Sequence, residues 1–148
     1  VMIDIVKKRL SEEDCKNGFI LDGFPRTLTQ AEALDKSEIS IDKVLNIEVP
    51  DEKIVARLSG RLECKNCGST FHTLYRVPKE NGKCDNCDGE LVTREDDKPE
   101  TVKNRLATYH SQTEPLKAFY QSQGKLRTAF GQEEIADTTK EVLKAIEA

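Results

Sequence analysis

Residues 43–67 read KVLNIEVPDEKIVARLSGRLECKNC. The first seven residues, KVLNIEV, are a short apolar run bounded by Pro50, which reads as a buried strand. Pro50 and Asp51 are helix-start signals, and Ile54, Val55 and Leu58 recur at helical spacing as a buried stripe. Arg57 and Arg61 follow at i and i+4, a spacing that puts them on one helical face. The stretch ends in Cys64-Lys-Asn-Cys67, and a second pair, Cys84 and Cys87, closes the segment CKNCGSTFHTLYRVPKENGKCDNC.

Upstream, the reading repeats this alternation. VMIDIVKKRL is in helical phase from its first residue, with Val1, Ile5, Val6 and Leu10 on one face. FILDGF, at 19–24, reads as a second short buried strand. PRTLTQAEALDKS then favours helix from near Pro25. Helix, strand, helix, strand, helix predicts an α/β fold with a parallel sheet. The segment 62–93 interrupts the rhythm with turn residues and strand-like pieces at 69–77 and 90–93, and reads as an inserted β-rich lobe. Downstream, a helix is expected from near Pro99, broken or kinked at Pro115 and continuing to about Ser122. KLRTAF at 125–130 is a weak strand, and EEIADTTKEVLKAIEA closes as an amphipathic helix. The expected divisions are 1–61 for part of an α/β core, 62–93 for the lobe, and 94–148 for the helical remainder of the core.

The chemistry is most legible in the cysteines. Four of the five in this 148-residue chain stand at ligand spacing, and only Cys15 lies apart. No apolar run approaches the roughly 18 residues of a spanning helix, and no charged, apolar-cored leader pattern opens the chain. The expectation is therefore a soluble cytoplasmic protein with no membrane partner. In a reducing compartment, paired CxxC motifs favour a metal over disulfides. Cys64, Cys67, Cys84 and Cys87 offer four thiolates, a tetrahedral set that suits structural zinc. Four cysteines leave no open position, which argues against zinc catalysis. His72 lies nearby but the set is already full. A lobe of this size has little core of its own, so the metal substitutes for packing.

Arginines cluster around the lobe in the chain: Arg57 and Arg61 before it, Arg94 and Arg105 after it, and Arg26 in LDGFPR. A guanidinium grips phosphate with a planar fork and stays charged at any working pH. The set fits a lobe that closes over a polyphosphate. It equally fits a solvated face in which Asp96 and Asp97 pair with the arginines. Asp22 is a candidate to hold Mg²⁺ through water, or a turn residue before Gly23. The net charge of −4 argues against duplex nucleic acid as a partner.

Taken in order, LDGFPRTLTQAEAL, VARLSGRLECKNCGSTFH, the second CxxC and TREDDKPETVKNRL resemble bacterial adenylate kinase of the long type with a zinc-binding lid. The resemblance implies a nucleoside monophosphate kinase fold with the zinc lobe as a lid, and transfer of phosphate from ATP to AMP, giving two ADP, with Mg²⁺. It implies that Gly23, Phe24, Pro25 and Arg26 line the AMP site, with Gln30 on the adenine. Arg57 would lie on the ATP adenine, Arg61 on its phosphates, and Thr70 and Phe71 would approach ATP from the lid. Arg94 and Arg105 would meet the transferring group and the AMP-side phosphates. The backbone near Glu133 would meet the ATP adenine, and Asp22 would orient the magnesium water shell.

The family pattern also includes a GxxGxGK-type phosphate loop, and no such motif occurs in these residues. The chain therefore reads as a C-terminal part of such an enzyme, with little or no activity of its own. The whole enzyme is expected to be a monomer. The part, with strand edges open at FILDGF and KVLNIEV, is expected to self-associate. Two other readings stay open: a zinc-ribbon module for protein or nucleic acid, and a related kinase with another acceptor such as UMP or CMP.

Overall fold

The computed structural model describes residues 2–148; Val1, assigned above to the apolar face of the first helix, lies outside them. The chain divides into two compact units. One runs up to Glu48 and resumes over Thr108–Ala148; the other is Val49–Ala107, which takes in the helices on either side of the cysteine segment.

In the first unit, β1 (Val44–Glu48) pairs in parallel with β5 (Leu126–Phe130), in the register Val44 with Leu126 through Glu48 with Phe130. The expected parallel α/β arrangement is present. Helices α2 (Leu28–Asp35) and α5 (Leu116–Ser122) supply Ala31, Leu116 and Tyr120 to the core, with Val44, Phe119 and Leu126 packed against it. The final helix, α6 (Ile135–Glu147), packs on β5 and β1, and Lys43 Nζ donates to the carbonyl of Ile146 near its end. Helix α1 (Met2–Leu10) packs on α2. Its half-buried residues are Ile3, Val6 and Leu10, while Ile5 faces solvent; the i, i+3, i+7 set shares one side of the helix, and Ile5 lies off it.

FILDGF is not a strand. Residues 19–24 have no regular structure, and Ile20 is 95% exposed. A strand exists only through lateral pairing, because its backbone polar groups have no partner within the segment. Among the described residues β1 pairs only with β5, and nothing offers 19–24 a ladder. Ile47 and Phe130, on the paired strands, are 49% and 59% exposed.

Pro115 interrupts the downstream helix as expected. It cannot donate a backbone hydrogen bond, and the chain widens ahead of it into a turn at Tyr109–Thr113, where the Glu114 N–H reaches the Tyr109 carbonyl at 2.9 Å.

In the second unit, α3 (Asp51–Ser59) ends at Gly60, and β2 (Arg61–Cys64) begins at once. Arg57 and Arg61 therefore do not share a helical face, because the helix stops between them. A side chain at 60 would meet the His72 ring at 2.5 Å, so only glycine lets helix and lobe approach this closely. Strand β2 is the centre of an antiparallel sheet, flanked by β3 (Thr70–His72) and β4 (Leu91–Val92). Helix α4 (Pro99–Thr108) follows a short turn at Glu95–Asp97.

One ion pair ties the first unit across a long sequence separation. Lys117 Nζ donates to both oxygens of Glu48, at 2.8 and 3.1 Å, and Asn46 Nδ2 adds a bond at 2.8 Å. Lys117 first, and then Asn46, hold the Glu48 carboxyl below its ordinary value of 4.5. A lowered carboxyl stabilises the fold at neutral pH, and the contribution is lost as pH falls. Glu48→Gln should cost about 0.5 kcal/mol at pH 7, because the pair is partly solvated. The gap from wild type in urea unfolding should close once pH drops well below 4.5.

Candidate metal centre and arginine cluster

The two CxxC turns repeat one backbone pattern. The N–H of Cys64 donates to Ser69 O at 2.9 Å, and Gly68 N–H donates to Cys64 O at 3.0 Å. Twenty residues on, Cys84 N–H donates to Gly89 O at 2.9 Å and Asp88 N–H to Cys84 O at 2.9 Å. The equivalent fifth residues, Gly68 and Asp88, are both left-handed, with φ of 70° and 55°. Glycine takes that conformation freely and aspartate tolerates it better than most residues. Each turn thus presents its two sulfurs on one side.

All four sulfurs lie within 4.8 Å of one another, with Cys64–Cys87 at 3.4 Å and Cys67–Cys84 at 3.6 Å. A tetrahedron with metal–sulfur bonds of about 2.3 Å has edges of roughly 3.8 Å, so the donor set fits zinc in both chemistry and size. Cys64 and Cys84 are buried with Phe71 and Leu91, and these four form the core of the lobe. A side chain at Gly89 would meet Cys64 Sγ at 2.8 Å, which makes that glycine part of the site. His72 is not in the sulfur cluster. Its Nε2 faces Arg57 O at 3.0 Å and its Nδ1 accepts from Leu74 and Tyr75 N–H.

The sulfurs are poised unequally. The Ser69 hydroxyl, 3.1 Å away, and the Ser69 backbone pull the Cys67 thiol down to about 6. For Cys87, the Gly89 backbone pulls downward, but the Cys67 and Cys64 sulfurs outweigh it and push the thiol up to about 12. A cation among the sulfurs removes that mutual opposition.

Three arginines of this unit, Arg61, Arg94 and Arg105, gather on one turn. Arg61 forks onto Asp97, with Nε and NH2 each 2.7 Å from a carboxylate oxygen, and Asp97 is 0% exposed. Arg94 forks onto Asp96 at 2.9 and 3.1 Å and donates from NH1 to Glu63 at 3.2 Å. Arg105 NH1 reaches the Asp96 carbonyl at 3.3 Å and stands 3.8 and 4.0 Å from the Asp96 and Asp97 carboxylates. Asp97 and Asp96 raise the affinity of Arg61 and Arg94, respectively, for their protons, and Arg94 holds the Asp96 carboxyl below its usual range. Arg57 is half-buried on α3, Thr70 is exposed on β3, and the Phe71 ring is in the lobe core beneath the Arg76 guanidinium, 5.1 Å from its centroid.

The remaining predicted residues lie in the other unit. Asp22 is exposed at a bend. Gly23 has φ of 76°, and its carbonyl accepts from Arg26 Nε at 2.7 Å. Phe24 and Pro25 are half-buried, and the Arg26 carbonyl accepts from Thr113 Oγ1 at 2.8 Å. Thr27 caps α2, and Gln30 reaches back so that its Oε1 accepts the Arg26 N–H at 2.8 Å, a capping arrangement that fixes the loop. Glu133 is exposed between β5 and α6. Sequence reasoning missed Ser69, Gly89 and the left-handed Asp88. Their only signal was position relative to each CxxC, four or five residues after its first cysteine.

A parallel α/β unit, a chain segment that adds a four-thiolate β lobe, and forked arginines at the root of that lobe define the nucleoside monophosphate kinase class. Comparison with known proteins gives the same class: the family model for adenylate kinase matches residues 1–125. A curated adenylate kinase of Caldicellulosiruptor bescii is 67% identical over 99% of this chain and 70% of its own length. That of Caldicellulosiruptor saccharolyticus is 64% identical over the same shares, and that of Acetivibrio thermocellus 56% identical over 97% of this chain and 68% of its own. The chain belongs to the adenylate kinase family.

Zinc is expected to bind with four thiolates, releasing protons, so affinity falls as pH falls. Stripping it with a chelator should unfold the lobe, seen as loss of protection at Cys64, Phe71 and Leu91 amides in hydrogen exchange. Gly89→Ala should weaken zinc binding, measured by competition with a chromophoric chelator, because the added methyl displaces a ligand sulfur.

Proposed function

We propose that the chain serves the reaction ATP + AMP ⇌ 2 ADP, with Mg²⁺ carried by the nucleotide and zinc as a structural ion. Nucleoside monophosphate kinase function follows from the family; the particular substrates and residue roles are the proposal. The observation that carries it is the gathering of Arg61, Arg94 and Arg105 on the Glu95–Asp97 turn. Phosphoryl transfer requires positioning and charge neutralisation more than acid–base chemistry, and three guanidiniums at one place supply both.

In this reading, Arg61 and Arg94 hold ATP phosphates and the transferring group, and Arg105 meets the acceptor-side phosphates. Arg57 lies against the ATP adenine. Thr70 offers its side chain, and Phe71 its backbone, because the Phe71 ring is committed to the core. Arg26 grips the AMP phosphate from the loop that starts at Gly23. Gln30 has its oxygen bound to the Arg26 N–H, which leaves its amide N–H₂ to donate to the adenine. Asp22 orients water on Mg²⁺, and the backbone at Glu133 meets the ATP adenine. A thiolate zinc site suits a reducing compartment, in keeping with a cytoplasmic enzyme.

These 148 residues hold no glycine-rich lysine loop to cradle the β- and γ-phosphates. Taken by themselves they are expected to convert ATP and AMP to ADP no faster than background in a ³¹P NMR assay. Nucleotide binding is expected to survive in weakened form. Arg94→Ala should abolish the residual ATP binding seen by calorimetry; binding unaffected by that change would remove the proposed role of the cluster.

A further inference from the structure

The two neighbouring aspartates, Asp96 and Asp97, hold their arginines in different ways. Asp97 is fully buried, and Arg61 is its bidentate partner. Displacing Arg61 would leave the buried Asp97 carboxylate without its partner, so this pair does not exchange readily. Asp96 and Arg94 are 44% and 46% exposed and form the same fork in contact with solvent. An exposed pair of this kind is worth little, and water or another anion replaces it at small cost. The geometry that Arg94 gives to a carboxylate is also the one it gives to phosphate. Asp96 additionally sits against Arg105, through its carbonyl at 3.3 Å and its carboxylate at 3.8 Å.

Resting on the phosphate-binding reading above, we propose that Asp96 is an internal competitor for phosphate. Its carboxylate occupies Arg94 and faces Arg105 when no nucleotide is bound, and a phosphate must displace it. Asp97 takes no part in the exchange and fixes Arg61. Glu63, bonded to Arg94 NH1, keeps the guanidinium in place while its other edge changes partner. Asp96 thus presets two arginines for phosphate and lowers their affinity for it, which favours release.

The probe is inorganic tripolyphosphate, titrated into the 148-residue chain with calorimetry and with the Arg94 Nε–H resonance as readouts. Asp96→Asn, with Asp96→Ser as a second replacement, should tighten binding about threefold, the scale of one exposed pair. Glu95→Gln removes a charge from the same turn, but Glu95 pairs with Lys98 and touches none of these arginines. It should leave binding near wild type. In wild type the Arg94 Nε–H signal should move on titration, as it changes partner, and in Asp96→Asn it should already be shifted before any anion is added.

Equal tightening in Glu95→Gln would reduce the effect to net charge and overturn the proposal. Unchanged or weaker binding in both Asp96 variants, with binding still lost in Arg94→Ala, would overturn it while leaving the phosphate reading intact. Indifference of binding to Arg94→Ala would remove the phosphate reading and the proposal together.

Discussion

Four sulfurs held within 4.8 Å of one another are the constraint on which the second unit depends. The lobe has few apolar residues to bury: its core is Phe71 and Leu91, plus the two cysteines Cys64 and Cys84, with Leu62 at the margin. Two of the four core residues therefore also belong to the sulfur cluster. So small a core supplies little hydrophobic stabilisation, which a tetrahedral metal on these four sulfurs would supplement. The backbone has been shaped to this end twice, by a pair of matching turns whose left-handed fifth residue, Gly68 or Asp88, reverses the chain.

The sulfur cluster and the arginine end of the lobe share strand β2. Arg61 begins it and Cys64 ends it, three residues apart. The same strand contributes Glu63, which bonds Arg94. The sulfur cluster at one end thus lies on the same strand at whose other end Arg61 meets buried Asp97. Gly60 and His72 close the connection to α3: the glycine admits the ring, and the ring's Nε2 reaches the Arg57 carbonyl. Positioning charged groups by a short, stiff element is an economical way to keep them apart from one another and still available to an anion.

The first unit is organised by a different rule. Its two parallel strands place Val44 and Leu126 against Ala31, Leu116 and Tyr120 of α2 and α5, and the Glu48–Lys117 pair lies at the carboxyl end of β1. Arg26 sits in a loop secured by Gln30 and Thr27 at the start of α2 and by Thr113, so local hydrogen bonds rather than core burial hold this loop.

Local patterns determined a good deal from the sequence alone. The gathering of the four cysteines was legible because CxxC spacing is itself the geometry of the turn. Strand β1, helix α3 and the break at Pro115 were legible because apolar periodicity and proline act within a few residues. The tertiary structure alone decided what depends on pairing across distance. FILDGF has the composition of a strand, but a strand needs a neighbour, and Ile20 is exposed because none lies beside it among the described residues. The i, i+4 spacing of Arg57 and Arg61 suggested a shared face until Gly60 ended the helix between them. Which aspartate is buried and which remains open to exchange was likewise invisible in the string Glu-Asp-Asp. Adjacent residues of one type differ only in what the fold places over them, and burial decides whether a charge pair is fixed or replaceable.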